Sequence, residues 1–186
     1  ENIPAVLCDN YQGGILAANR LFDAGCRNIA IFNPPTKENI PAYSREKAFM
    51  KCCEDKKISG RVVYTDRLAP LSEEFGNNIL ELLKKNSDLD GIFATSDVMA
   101  ANIIRACKKM GKRVPEDISI AGYDGITIAK ILEPKLTTLC QDTVAIGRIA
   151  AEKLIDLIEN PKTTLIDRFT VDGTLFKGTS VKRLLP

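Results

Sequence analysis

The chain has 186 residues, enough for one domain, or one and a fraction, at ~100–200 residues each. It is 45% hydrophobic and 27% charged, with 26 basic residues against 24 acidic ones; this excludes disorder, collagen-like repeats and a dedicated nucleic-acid surface. No apolar run approaches the ~20 residues of a membrane span, and the absence of His removes Ser-His and Cys-His catalysis and any His-ligated metal.

Short, nearly continuous apolar runs alternate with helix-length segments along the chain. Pro4-Ala5-Val6-Leu7-Cys8 reads as a strand. Residues 11–24 place Gly14, Ala17, Ala18, Leu21 and Phe22 on one helix face, and Gly25 suits the C-terminal end. Residues 28–32 form a second strand, 43–57 an amphipathic helix, 61–64 a strand and 73–86 a helix carrying Ile79, Leu80, Leu82 and Leu83. Residues 91–94 are a strand, and 97–110 a helix between Ser96 and Gly111. After the strand at 118–121, residues 142–159 carry Gly147, Ala150, Ala151, Leu154 and Ile158 on one helical stripe. In the tail, 163–166 and 169–171 with an Asp172-Gly173 turn read as short strands closing the fold.

Strands apolar on both faces, each followed by a helix, predict a parallel α/β sheet with right-handed crossovers. The residues after the strands are Asp9-Asn10, Asn33, Thr65-Asp66, Thr95-Ser96-Asp97, Tyr123-Asp124 and Gln141-Asp142. Open parallel sheets bind ligands beyond the carboxyl ends of their strands. A rim of amides, carboxylates and hydroxyls, with no phosphate loop, suits a polar neutral ligand; the plainer reading is that these side chains cap the following helices. Gly13-Gly14 is not a dinucleotide fingerprint. The six Cys residues form no C-x-x-C pair, and buried reduced thiols are expected. No cofactor and no metal site is expected.

Several phrases in series resemble the LacI/GalR family of bacterial transcriptional regulators, in its effector-binding region. They are Val114-Pro115-Glu116-Asp117-Ile118-Ser119-Ile120-Ala121-Gly122-Tyr123-Asp124, Pro134-Lys135-Leu136-Thr137-Thr138 leading to Gln141, and Ser96-Asp97-Val98-Met99-Ala100. Asp9-Asn10 with Gly13-Gly14, and Gly25-Cys26-Arg27-Asn28-Ile29-Ala30, support them. Order and spacing fit from about residue 3 to about residue 180.

The resemblance implies a type I periplasmic-binding-protein-like fold: two α/β subdomains joined by three chain crossings, with a sugar or related polyol in the cleft. It places the crossings near Asn33, Gln141 and Ile166-Asp167. Residues 1–32 and 142–162 would form a partial N-terminal subdomain, and 33–141 with 163–186 a complete C-terminal one. Two full subdomains of ~100–150 residues need more chain than this, so the sequence reads as truncated. The apolar faces of helices 11–24 and 142–159 are then expected to be open. The family's helix-turn-helix, which binds operator DNA, is not in this sequence.

The resemblance also nominates ligand contacts. Arg45, in Arg45-Glu46-Lys47-Ala48-Phe49, is similar to the family's Arg-x-x-Gly-Phe segment and offers paired donors. Asp124 ends the Gly122-Tyr123-Asp124 phrase and would accept bonds from effector hydroxyls; the alternative is an Asx turn into 125–132. Ser96 lines the cleft or caps its helix, and Asp97 is structural. Asn10 and Tyr11 face the cleft from the N-terminal subdomain, and Gln141 lies at a crossing. Arg67 and Thr143 stand where some members place an aromatic ring over the sugar.

The implied whole is a cytoplasmic, homodimeric, sugar-sensing repressor, not an enzyme and not membrane-bound. A sugar-binding protein of a transport system shares the fold and is the alternative. An α/β enzyme using Asp97 or Asp124 lacks a nucleophile, metal or cofactor partner in the sequence. Control by a phosphorylated carrier protein would need a further docking patch.

Overall fold

In the computed structural model, residues 4–35, 40–160 and 168–183 are described. The elements in chain order are β1 (Ala5–Cys8), α1 (Asn10–Asp23), β2 (Asn28–Asn33), α2 (Pro41–Asp55), β3 (Ser59–Tyr64), α3 (Glu73–Lys85) and β4 (Gly91–Ala94). They continue with α4 (Asp97–Lys109), β5 (Ser119–Asp124), α5 (Thr127–Ile131), β6 (Thr137–Cys140), α6 (Thr143–Glu159), β7 (Arg168–Val171) and β8 (Thr174–Phe176).

Two sheets result. Strands β3-β2-β4-β5-β6-β8 form the large one, parallel except for β8, which runs antiparallel to β6. β1 and β7 pair in parallel as a separate two-stranded sheet. The large sheet is covered on both faces, and β2 shows how. Ile29 and Ile31 join a core with Ala17, Leu21, Phe49 and Tyr123 beneath α1 and α2. Ala30 and Phe32 join the other core with Ile79, Leu83, Met99 and Ile103 beneath α3 and α4. Alternate residues of one strand feed opposite layers, so the run must be apolar throughout.

Local chemistry sets the helix ends. Asp9 caps α1 by accepting from Gln12 N, Ser72 caps α3 through Phe75 N, and Asp142 caps α6 through Ala145 N. Glu73 and Glu74 open α3 and Lys84 and Lys85 close it, matching the helix dipole. Gly14 lets α1 lie directly on α2, because a Cβ there would collide with the Arg45 carbonyl oxygen. That close approach helps fix where Arg45 stands.

The lobe boundaries differ from the sequence expectation. β2 pairs with β3 and β4, and α1 packs on α2 and β5, so residues 10–32 belong to the large lobe. The first crossing is at Asp9, not near Asn33. β7 joins β1 while β8 joins β6, so Asp172-Gly173 is the third crossing and not a hairpin turn. The expected crossing at Ile166-Asp167 and strand at 163–166 lie outside the described residues. After Cys140, β6 of the large sheet gives way to α6, which packs on β1. A strand's sheet is decided by its hydrogen-bond partners, and apolar strands of either lobe look alike in sequence.

Candidate functional site

The carboxyl ends of β2, β4, β5 and β6 meet the start of α1 and the body of α2, beside two of the crossings. Arg45 projects there from α2 and is 9% exposed. Its Nη1 donates to the Thr95 carbonyl at 2.7 Å, and its guanidinium carbon lies 3.9 Å from the centre of the Tyr123 ring. The cation is thus held on an aromatic face. Burial lowers its pKa, while neighbouring Tyr123 and Asp124 act to raise it; the group stays charged.

Tyr123 is fully buried, and burial pushes its phenol pKa up. Its hydroxyl donates to Asn10 Oδ1 at 3.1 Å, and Asn10 Nδ2 donates to the Cys8 carbonyl at 2.8 Å. Asn10 therefore ties the end of β1 to β5 across the first crossing. Asp124 has the unusual backbone angle φ +113°. Its Oδ1 accepts from Gln141 Nε2 at 2.8 Å, and its carbonyl accepts from Gln141 N at 3.2 Å. Burial raises the Asp124 carboxyl pKa; the Gln141 hydrogen bond and Arg45 oppose this.

A second chain of hydrogen bonds backs Arg45. Thr95 Oγ1 donates to Asn33 Oδ1 at 3.1 Å, Asn33 Nδ2 to Glu46 Oε2 at 2.8 Å, and Tyr64 OH to Glu46 Oε1 at 2.9 Å. Next to it opens a cavity of about 480 Å³. Its walls include Pro34, Pro35, Ile40, Leu68, Phe75 and Met99, with Thr65, Asp66, Arg67 and Ser96. Arg67 Nη2 donates to the Pro35 carbonyl at 2.7 Å, bracing two of these loops.

Four expected residues, Arg45, Asp124, Asn10 and Gln141, come together in this network. Asn10 and Tyr11 stand on α1, in the large lobe, which corrects their expected subdomain. Tyr11 is 43% exposed. Ser96 lines the cavity but uses its oxygen to cap α4, accepting from Met99 N at 3.2 Å. Tyr123 was missed as a site residue, although it sits inside the Gly122-Tyr123-Asp124 phrase. Asn33 was visible as a strand-end amide; its partner Glu46 carried no signal, because a helix carboxylate is ordinarily solvated. Cys8, Cys26, Cys52, Cys53 and Cys107 are buried free thiols. Among the described residues no group of three or more His, Cys, Asp or Glu could hold a metal ion.

Residues 18–181 match the periplasmic binding protein-like domain. The chain belongs to that family. It does so in the form carried by LacI/GalR-type regulators. It is 37% identical over 159 residues to a ribose operon repressor of Halalkalibacterium halodurans, covering 86% of this chain and 47% of the relative. It is similar to the transcriptional regulator CelR in complex with cellobiose, with TM-score 0.85 and 31% identity over 97% of this chain and 54% of that one. A LacI family transcriptional regulator of Enterococcus faecium with bound ribose matches with TM-score 0.82 and 29% identity, over 100% of this chain and 67% of that one. The chain spans about half the length of the curated relatives it matches. No described helix is long and apolar enough to cross a membrane.

Proposed function

We propose that this periplasmic binding protein-like chain is the effector-sensing part of a LacI/GalR-type repressor. It takes a sugar or small polyol between the two lobes. In the whole protein, operator DNA would be bound by a helix-turn-helix, as a cytoplasmic homodimer, with no chemistry done on the ligand. The observation that carries this reading is the arrangement of Arg45 and Asp124 on one rim, flanked by Asn10 and Gln141 at two crossings. A guanidinium supplies donors and a carboxylate supplies acceptors. Vicinal hydroxyls, each both donor and acceptor, satisfy such a pair without leaving a buried charge unmatched. Two similar structures hold ligands of this class, cellobiose in one and ribose in the other.

Signalling follows from position. A ligand bridging the rim contacts residues at the crossings, so it favours one arrangement of the lobes over another. It shifts that balance only by its difference in affinity for the two arrangements. The test is calorimetric titration of full-length protein with D-ribose and with cellobiose. Arg45→Ala and Asp124→Ala are each expected to weaken the bound sugar by about 10- to 100-fold, the size of a lost charged hydrogen bond. Wild-type affinity in both variants would remove the cleft assignment.

A further inference from the structure

We propose that Asp97 positions Asp124 for the effector, by fastening the turn after β5 to the start of α4 and to β6. This rests on the reading of Asp124 as an effector contact. Asp97 is the first residue of α4 and is fully buried. Its oxygens face other elements and not its own helix, whose cap is Ser96. Oδ2 accepts from Ile126 N at 2.8 Å, and Oδ1 accepts from Thr138 Oγ1 at 2.5 Å.

The Ile126 amide lies two residues beyond Asp124, in the turn that follows β5. Asp124 itself has φ +113°, a region that side-chain-bearing residues seldom occupy and hold only when their surroundings impose it. Asp97 supplies that hold. Through Thr138 it also grips β6, the strand that leads to Gln141, the partner of Asp124. β5 is kept bare to admit it: a Cβ at Gly122 would lie 2.5 Å from Asp97 Oδ1 and 2.7 Å from Leu136. Gly122 and Asp97, from two separate phrases of the sequence, thus meet at one contact.

A carboxylate is an uneconomical choice for a merely structural anchor. Among the described residues no Lys or Arg forms an ion pair with it. The titratable groups whose charge it feels or influences are Asp124 from β5 and Cys140 from β6. Burial and the Asp124 charge raise its pKa to about 6. What the carboxylate provides is two acceptor oxygens aimed at two different elements, the Ile126 amide after β5 and the Thr138 hydroxyl of β6, a span that a smaller neutral side chain cannot match.

The experiment uses full-length protein, with D-ribose and cellobiose as probes, and amide hydrogen exchange of Ile126 in the ligand-free protein. Asp97→Ala is expected to weaken the bound probe about as much as Asp124→Ala. The double variant should be no weaker than Asp124→Ala by more than about twofold, because the two changes act through one interaction. Asp97→Asn should restore affinity to within about threefold, since its amide oxygen can accept from the backbone while Nδ2 donates to Thr138. Ile126 exchange should quicken at least about tenfold in Asp97→Ala and stay near wild type in Asp97→Asn. Should Asp97→Ala fail to fold, Thr138→Val replaces it, with an expected loss of a fewfold in affinity and quicker Ile126 exchange. Additive losses, an Asn variant as weak as Ala, or unchanged exchange would each overturn the proposal. If wild type binds neither sugar, the effector reading fails for these probes, and the exchange rates alone still decide whether Asp97 holds the turn.

Discussion

Helices α1 and α6 carry the same kind of small-and-aliphatic stripe, yet they end in opposite environments. α1 buries Gly13, Gly14, Ala17, Ala18 and Leu21 against α2 and the large sheet. α6 buries none of its residues, and Val144 and Ile158 are 80% and 70% exposed. The difference lies in what each helix is offered. The large sheet is six strands wide, and α1 also finds α2 to lie on. α6 packs chiefly on β1, with Ile146 reaching the large lobe's core, and it keeps a wide apolar face open. An amphipathic stripe records that a helix needs a partner; the fold determines whether one is within reach.

That contrast can be broken by mutation. Leu21→Ala in α1 should destabilise the chain by about 3 kcal/mol in denaturant titration, the usual result of opening a cavity in a packed core. Leu154→Ala in α6 should change stability by under about 0.5 kcal/mol. Equal effects would mean that α6 is packed in solution.

Buried polar groups sharpen the same contrast. Asp97 in the large lobe has its folded pKa raised from 3.8 to about 6. The folded state therefore binds more protons than the unfolded state between those values. The stabilising contribution is complete below pH ~4 and is lost as pH rises through about 6. Asp97→Asn does not titrate. Its stability relative to wild type should improve by about 1–3 kcal/mol from pH 4 to pH 8, followed by thermal unfolding at each pH. A flat difference would show that Asp97 does not change its charge in this window. On α6, by contrast, the exposed Arg148–Glu152 pair should contribute under about 0.5 kcal/mol, measured by a double-mutant cycle.

The smallest expected effect concerns the open face itself. Ile158→Asp should leave the unfolding midpoint nearly unchanged and reduce concentration-dependent self-association of the chain in sedimentation. A marked loss of stability would place Ile158 against a partner within the chain.

The sequence alone gave the helices closely: 73–86 against Glu73–Lys85, and 97–110 against Asp97–Lys109. Periodicity, the cap at Ser96 and the stop at Gly111 act locally, so they can be read locally. Arg45 and Asp124 were legible because their phrases are recognisable in the chain. Their coupling was not: Tyr123, Glu46 and Asn33 join the network through contacts between residues distant in sequence.

Sequence determined the α/β alternation, the polar rim after the strands and the chemistry available there, since these rest on side-chain type and short-range spacing. Only the tertiary structure decided that β2 and α1 belong to the large lobe, that Asp9 and Asp172-Gly173 are crossings, and that Asp97 lies beneath Asp124. Sheet membership and buried hydrogen bonds depend on which distant backbone arrives alongside, and a linear pattern of apolar and polar residues does not encode that neighbour.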